Sequence, residues 1–297
     1  VITNPSAKFE AATSGGIINI VLKKNKKPGY NGFVGLGIGT GNRYNSTANL
    51  NVKQGKFNVT SFFSLNSTKN PTEGYTRRTT YTDATRTTAK EYYDQTNNAV
   101  FGNRFLVGRM GVDYYVNNRN TFTVAGNYVQ GQFNVDETQP FYFQNLPSGE
   151  KTLSGIRTVV PRNRFDRYQA QMTWRKSYPK KGKELVADAT YDWGTSTNKA
   201  TWTTVSQRGT NAPITTIYDN KGGNKGDQFV FQLDFTNPIN DSTKLEMGAR
   251  SYVNLRTQDY LAYQIIETKA VLDSSLSSNQ RIDDYVNAAY ITYSSRF

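Results

Sequence analysis

"LVGRMGVDYYV", residues 106–116, alternates from end to end. Leu106, Gly108, Met110, Val112, Tyr114 and Val116 fall on one side, and Val107, Arg109, Gly111, Asp113 and Tyr115 on the other. Side chains of an extended chain point to opposite faces in turn, so period two predicts a strand with one apolar and one charged face. The pattern recurs. Tyr168, Ala170, Met172 and Trp174 oppose Arg167, Gln169, Gln171, Thr173 and Arg175. Leu185, Ala187, Ala189, Tyr191 and Trp193 oppose Glu184, Asp188, Thr190 and Asp192. Phe229, Phe231, Leu233 and Phe235 oppose Gln232 and Asp234, and Leu245, Met247, Ala249, Val253 and Leu255 oppose Lys244, Glu246, Arg250, Asn254 and Arg256.

A water-soluble antiparallel sheet with one wet face also alternates. Its strands, however, average about 5–6 residues. The runs here are about twice that, the roughly 9–11 residues that a strand needs to cross a bilayer. The connections sort by length as well. "KQGK" (53–56), "NNRN" (117–120), "PKKG" (179–182) and "NPINDS" (237–242) are short and polar. Between them lie long polar stretches near 68–100, 135–162, 199–226 and 259–282, with "GTGNRYN" (39–45) the one short exception. Short turns on one side and long loops on the other are the habit of an outer-membrane barrel.

About ten strands are expected, near 31–40, 43–53, 56–67, 102–116, 120–134, 163–176, 183–198, 227–237, 243–258 and 283–297. Some should run past the membrane, since "EGYTRRTTYT" (73–82) still alternates. Tyr114, Tyr115, Trp174, Trp193, Tyr252 and Tyr260 lie near strand ends, which suits interfacial aromatic girdles and equally the general preference of aromatics for strands.

Composition narrows the chemistry. The 297 residues include no Cys and no His. Disulfides, thiolate metal sites and His-based triads are therefore excluded. With 36% hydrophobic residues and a mean hydropathy of −0.67, no apolar run is long enough for a transmembrane helix. Twenty Tyr and sixteen Phe are a heavy aromatic load for so polar a chain. A net charge of +13 suits nucleic acid or an anionic membrane surface. The basic run "KKNKK" (23–27) is expected to mark the periplasmic membrane edge, so no nucleic-acid partner is anticipated. "GLGIGTG" (35–41) has G-x-G spacing, but it alternates as a strand and no helix follows, so it is not a phosphate loop.

Residues before the first wall strand read differently. In "NPSAKFEAATSGGIINIVLKKNKKPGYNG" (4–32), "GIINIVL" is apolar at nearly every position, as in a strand buried on both faces, and Pro28-Gly29 then turns the chain. Gly16, Ile18, Asn19 and Ile20, preceded by Gly15 and by the loop Asn4, Pro5, Ser6 and Ala7, resemble the plug-to-barrel junction of TonB-dependent outer-membrane receptors. "YVNAAYITYSSRF" (285–297) is similar to a mid-barrel strand of that group. The resemblance implies that 1–27 is the end of a plug domain. It further implies that 28–297 is an all-β partial antiparallel barrel, about ten strands of a 22-stranded one. The rest of the plug, with its TonB box, is expected in a longer protein, although Phe297 could also be a terminal barrel aromatic. Gly35, Gly37 and Gly39, all on one side, would then make room for the plug.

The function implied is uptake of a scarce ligand such as a metal chelate, glycan or peptide. Energy would come from a TonB-type partner. Lipid and lipopolysaccharide would surround the wall, and a surface lipoprotein could cover it. No catalysis, cofactor or metal is expected, because barrel proteases and lipases would want a His. Candidate ligand-binding residues on the lumen wall are Arg109, Asp113, Arg167, Arg175, Asp188, Asp192, Asp234, Glu246 and Arg250, with Arg77, Arg78 and Arg86 in the loops. The wall residues could instead pair with opposite charges on neighbouring strands. A non-transporting surface barrel, an adhesin or assembly partner, is the alternative.

Overall fold

A computed structural model describes residues 28–295. The junction glycines and "INI" residues, the plug end and Phe297 lie outside the described residues. What is described is strands joined by turns: β1 (Gly29–Gly39), β2 (Arg43–Gln54), β3 (Phe57–Tyr81), β4 (Ala89–Asn117), β5 (Asn120–Asn145), β6 (Lys151–Ser177), β7 (Glu184–Gln207), β8 (Ile214–Pro238), β9 (Thr243–Ile266), β10 (Lys269–Leu272) and β11 (Ser278–Ser295). Each pairs antiparallel with its neighbour in sequence from β1 to β10. β11 rejoins β9 below β10, through Ser278↔Tyr260 to Ser295↔Thr243. β10 and β11 thus act as one return strand, interrupted by a turn at 273–277 where Asp273 accepts from the Ser275 amide and hydroxyl. Ten long strands result. Among the described residues β1 pairs only with β2 and β11 only with β9, so the sheet is not closed.

The expected long loops are corrected. Residues 68–81 and 89–100 are the outer halves of β3 and β4, paired from Thr68↔Asn103 to Tyr81↔Ala89. β5–β6 and β7–β8 do the same, and the true tips are short, at 82–88, 146–150 and 208–213. A strand of 25 residues is more than twice what a bilayer crossing needs, so these hairpins stand well above the membrane.

Registers carry each face across the sheet. Phe57, Tyr114, Phe122 and Trp174 share one row, and Val59, Val112, Val124 and Met172 the next. This face is apolar yet uncovered: Met110 is 59% and Met172 52% exposed. Among the described residues the buried hydrophobics are only Ala99, Ala125, Val159 and Ala262, so the sheet has no apolar core of its own. So much exposed apolar surface on long strands needs a lipid solvent.

Aromatic pairs bound the apolar band. Near the short turns Phe57 stacks on Tyr114 at 4.9 Å, and Phe122 on Trp174 at 6.1 Å. At the other edge Tyr128, Tyr168 and Trp193 stack in series at 4.9 and 5.4 Å. Their polar ends turn outward: Tyr128 donates to Asp166 at 2.8 Å and Tyr191 to Asp227 at 2.6 Å. That is the amphipathic placement that an interface rewards. Tyr115, Tyr252 and Tyr260 are not part of these girdles. Tyr115 pairs with Thr121, Tyr252 with Val230 and Tyr260 with Gly222, on the polar face. Adjacent residues cannot share a face, so Tyr114 in the girdle sends Tyr115 to the other side.

Candidate functional site

The opposite face is largely polar, with glycines on β1 and a Phe105–Phe133–Phe165 cluster among its polar side chains. One row runs Asn58, Asp113, Thr123, Thr173, Asp188, Gln232 and Arg250. The next but one runs Phe62, Arg109, Asn127, Gln169, Asp192, Gln228 and Asn254. With the apolar face toward lipid, this wall faces the lumen. Arg109, Asp113, Arg167, Arg175, Asp188, Asp192, Asp234, Glu246 and Arg250 all lie on it, spread over five strands.

Opposite-charge pairing, expected for these groups, is the minority arrangement. Asp113 accepts from Asn58 Nδ2 at 3.0 Å and Thr123 Oγ1 at 2.7 Å. Asp188 accepts from Gln171, Thr173 and Thr190 at 2.9, 2.5 and 3.1 Å. Asp192 accepts from Gln169 Nε2 at 2.7 Å, and that glutamine's oxygen accepts from Asn127. Asp234 accepts from Gln232 and Tyr290. Neutral amides and hydroxyls satisfy these carboxylates without the cost of desolvating a second charge. Ion pairs occur near the short turns: Arg175–Glu184 at 3.7 Å and Lys244–Glu246 at 2.7 Å.

The arginines fare differently. Among the described residues Arg109, Arg167 and Arg256 have neither a hydrogen-bond nor an ion-pair partner. Two of them border a concavity of this wall of about 720 Å³. Its row reads Arg167, Gly194, Gly226, Arg256 on β6 to β9. Gln169, Asp192, Gln228 and Asn254 line it toward the short turns, and Ser196 and Asn224 toward the tips. Arg256, Gly194 and Gly226 were not among the residues anticipated. Each strand's own alternation shows Arg256 on the polar side, but only cross-strand register sets the two glycines opposite one another.

Gly35, Gly37 and Gly39 do share the polar face, opposite Thr47, Asn45 and Arg43. Part of the room they leave is already used by the wall itself. A Cβ at Gly35 would meet the Phe33 ring at 2.8 Å, and one at Gly37 the Asn45 amide at 2.5 Å.

The hairpin arginines are engaged. Arg77 pairs with Asp94 at 3.1 Å and lies over the Tyr75 ring at 4.8 Å. Arg78 lies over Tyr93 at 5.5 Å. Arg86 sits at positive φ in the β3–β4 tip. That tip is organised by Asp83, which accepts from the Thr85 hydroxyl at 2.5 Å and from the Thr87 and Thr88 amides at 3.1 and 3.0 Å. These bonds, the Thr85 hydroxyl foremost, hold the Asp83 carboxyl well below the usual carboxylate range. No group of three or more Asp or Glu residues able to hold a metal ion occurs among the described residues.

Comparison with known proteins agrees with this geometry. Residues 176–297, from the end of β6 through β11, match the outer membrane protein beta-barrel family. No curated protein and no solved structure matches the chain. The family match over β7–β11, together with an all-strand sheet apolar on one side and polar on the other, makes this protein a multi-pass β-barrel of the outer membrane.

Proposed function

We propose that the protein is a TonB-dependent receptor and transporter, which takes up a scarce polar ligand through a plugged barrel. The observation that carries this reading is the junction resemblance, Gly16, Ile18, Asn19 and Ile20 followed by the basic stop, immediately before β1. The described sheet supports it in two ways. Its two edges, unpaired among the described residues, would leave bare backbone groups in lipid unless the wall is completed, and a 22-stranded barrel would supply the strands. Its lumen wall also offers hydrogen-bonding groups on every strand, which suits a passage for a polar solute. Lipopolysaccharide around the outer girdle and a covering lipoprotein belong to the same proposal.

Two measurements on the native protein test it. Its intact mass should be at least roughly twice 33.4 kDa, leaving room for a plug and the remaining strands. The protein extracted from outer membranes should also retain the periplasmic domain of a TonB-type protein on a column. A mass near 33.4 kDa with no retention would overturn transport and leave the small surface barrel.

A further inference from the structure

We infer that the concavity between Arg167 and Arg256 is a binding cleft for an acidic oligosaccharide, with a carboxylate or sulfate held between the two guanidiniums. The inference deepens the transporter reading and rests on it only for placing the cleft in a ligand path. Three observations carry it.

First, among the described residues the two arginines are unpaired, on a wall that satisfies its carboxylates with neutral donors. Arg167 and Arg256 are three strand spacings apart, roughly 14 Å. Both side chains are long enough to reach inward over the two intervening strands. Guanidinium groups are the side chains best shaped for forked hydrogen bonds to such anions.

Second, the floor between them carries no side chain, and packing explains only half of it. A Cβ at Gly194 would meet the Asp166 carbonyl at 2.5 Å and the Arg167 Cα at 3.2 Å, so Gly194 is required by the wall. A Cβ at Gly226 would meet nothing closer than the Leu255 carbonyl at 3.8 Å. The wall could hold a side chain at 226, and what its absence provides is the open floor of the cleft.

Third, the other side chains that the polar face adds to the cleft are mostly amide and hydroxyl. Gln169, Gln228, Asn254, Asn224 and Ser196 supply both donors and acceptors, while Phe165 is the one apolar side chain that the polar face adds. Such a surface answers sugar hydroxyls, and the Phe165 ring, packed against Phe105 and Phe133, is its apolar edge. Asp192 contributes one negative charge against the two arginines, so the cleft favours an anion, and removing that charge should strengthen binding.

The test is titration calorimetry on the full-length protein in detergent, with trigalacturonate and its uncharged methyl ester as probes. The acid should bind, and the ester should bind at least about tenfold more weakly. Arg167→Gln and Arg256→Gln should each weaken the acid by about tenfold or more, at one charge-assisted contact apiece. Gly226→Leu should abolish binding by filling the floor. Asp192→Asn should tighten it, an opposite sign that a damaged barrel cannot produce. Arg104→Gln, which removes a charge from the outward face, should leave it unchanged. Heat-modifiable migration on gels checks that each variant is folded. Equal binding of acid and ester, no binding of either, or affinity untouched by both arginine variants would overturn the cleft. Because calorimetry does not involve energy coupling, retention of a TonB-type domain without acid binding would sink the cleft alone. Acid binding without retention would sink transport alone.

Discussion

The lower and upper halves of β3 to β9 share one hydrogen-bonded ladder but have different sequences. Within about ten residues of the short turns, the outward face is Val, Met, Phe and Ala, and the inward face is polar. Farther up, that same outward face carries Arg77 paired with Asp94, Arg162 with Asp136, and Lys221 with Asp219. The backbone makes the same ladder in both places, so backbone pairing does not explain the change. The surrounding solvent does: hydrocarbon below, water above. Lipid penalises a bare charge, while exposed ion pairs in water add little and cost little.

The sharpest way to break the comparison is to put one change in both halves. Val124 and Val205 are both exposed on the outward face, at 57% and 42%. Val124→Arg enters the apolar band and should cost about 2–4 kcal/mol in denaturant unfolding from lipid vesicles. Val205→Arg lies far above the band and should stay within about 0.5 kcal/mol. Equal costs would mean that both halves see the same solvent.

A smaller contrast is expected on carboxylates. Asp188→Ala would strand the Gln171, Thr173 and Thr190 donors and should cost about 1–3 kcal/mol in the same assay. Asp219→Ala removes a half-buried partner of the exposed Lys221 and of the Thr201 hydroxyl, and should cost at most about 1 kcal/mol.

The smallest effect is local to the β3–β4 tip. Its Asp83 carboxyl is depressed, so its contribution is complete above the ordinary carboxylate pKa of about 4. That contribution is lost only as pH falls through the lower folded value. Tryptic nicking after Arg86 should therefore rise several-fold in Asp83→Asn at neutral pH. The wild-type tip should keep its neutral-pH protection down to about pH 5, read as amide hydrogen exchange at Thr87 and Thr88 corrected for its intrinsic pH dependence. Unchanged nicking in the variant would show that the carboxylate does not order the tip.

Where the two halves differ, so did the legibility of the sequence. Residues 106–116 announce a membrane strand because lipid on one side and water on the other force strict alternation. In "KATWTTVSQ" (199–207) and "ITTIYDN" (214–220) water bathes both faces. Period two fades there, and well-paired strands read as loop. Tyr115 was readable as inward from its neighbour Tyr114, but strand-end position was the weaker guide and pointed the wrong way. The polar face itself was legible one strand at a time. The Gly194–Gly226 floor was not, because the register that sets β7 against β8 is written in no single strand.

The most direct test of the central assignment, apolar face to lipid and polar face to lumen, is a single-cysteine series across 106–116. These 297 residues contain no Cys, and any cysteine elsewhere in the protein is first replaced by Ser. Spin labels at each position, in the full-length protein in lipid vesicles, would report collisions with oxygen and with a water-soluble nickel chelate. Oxygen accessibility should peak at 106, 108, 110, 112 and 114, and chelate accessibility at 107, 109, 111 and 113. Profiles without period two, or with the phases exchanged, would contradict the assignment and the lumen site built on it.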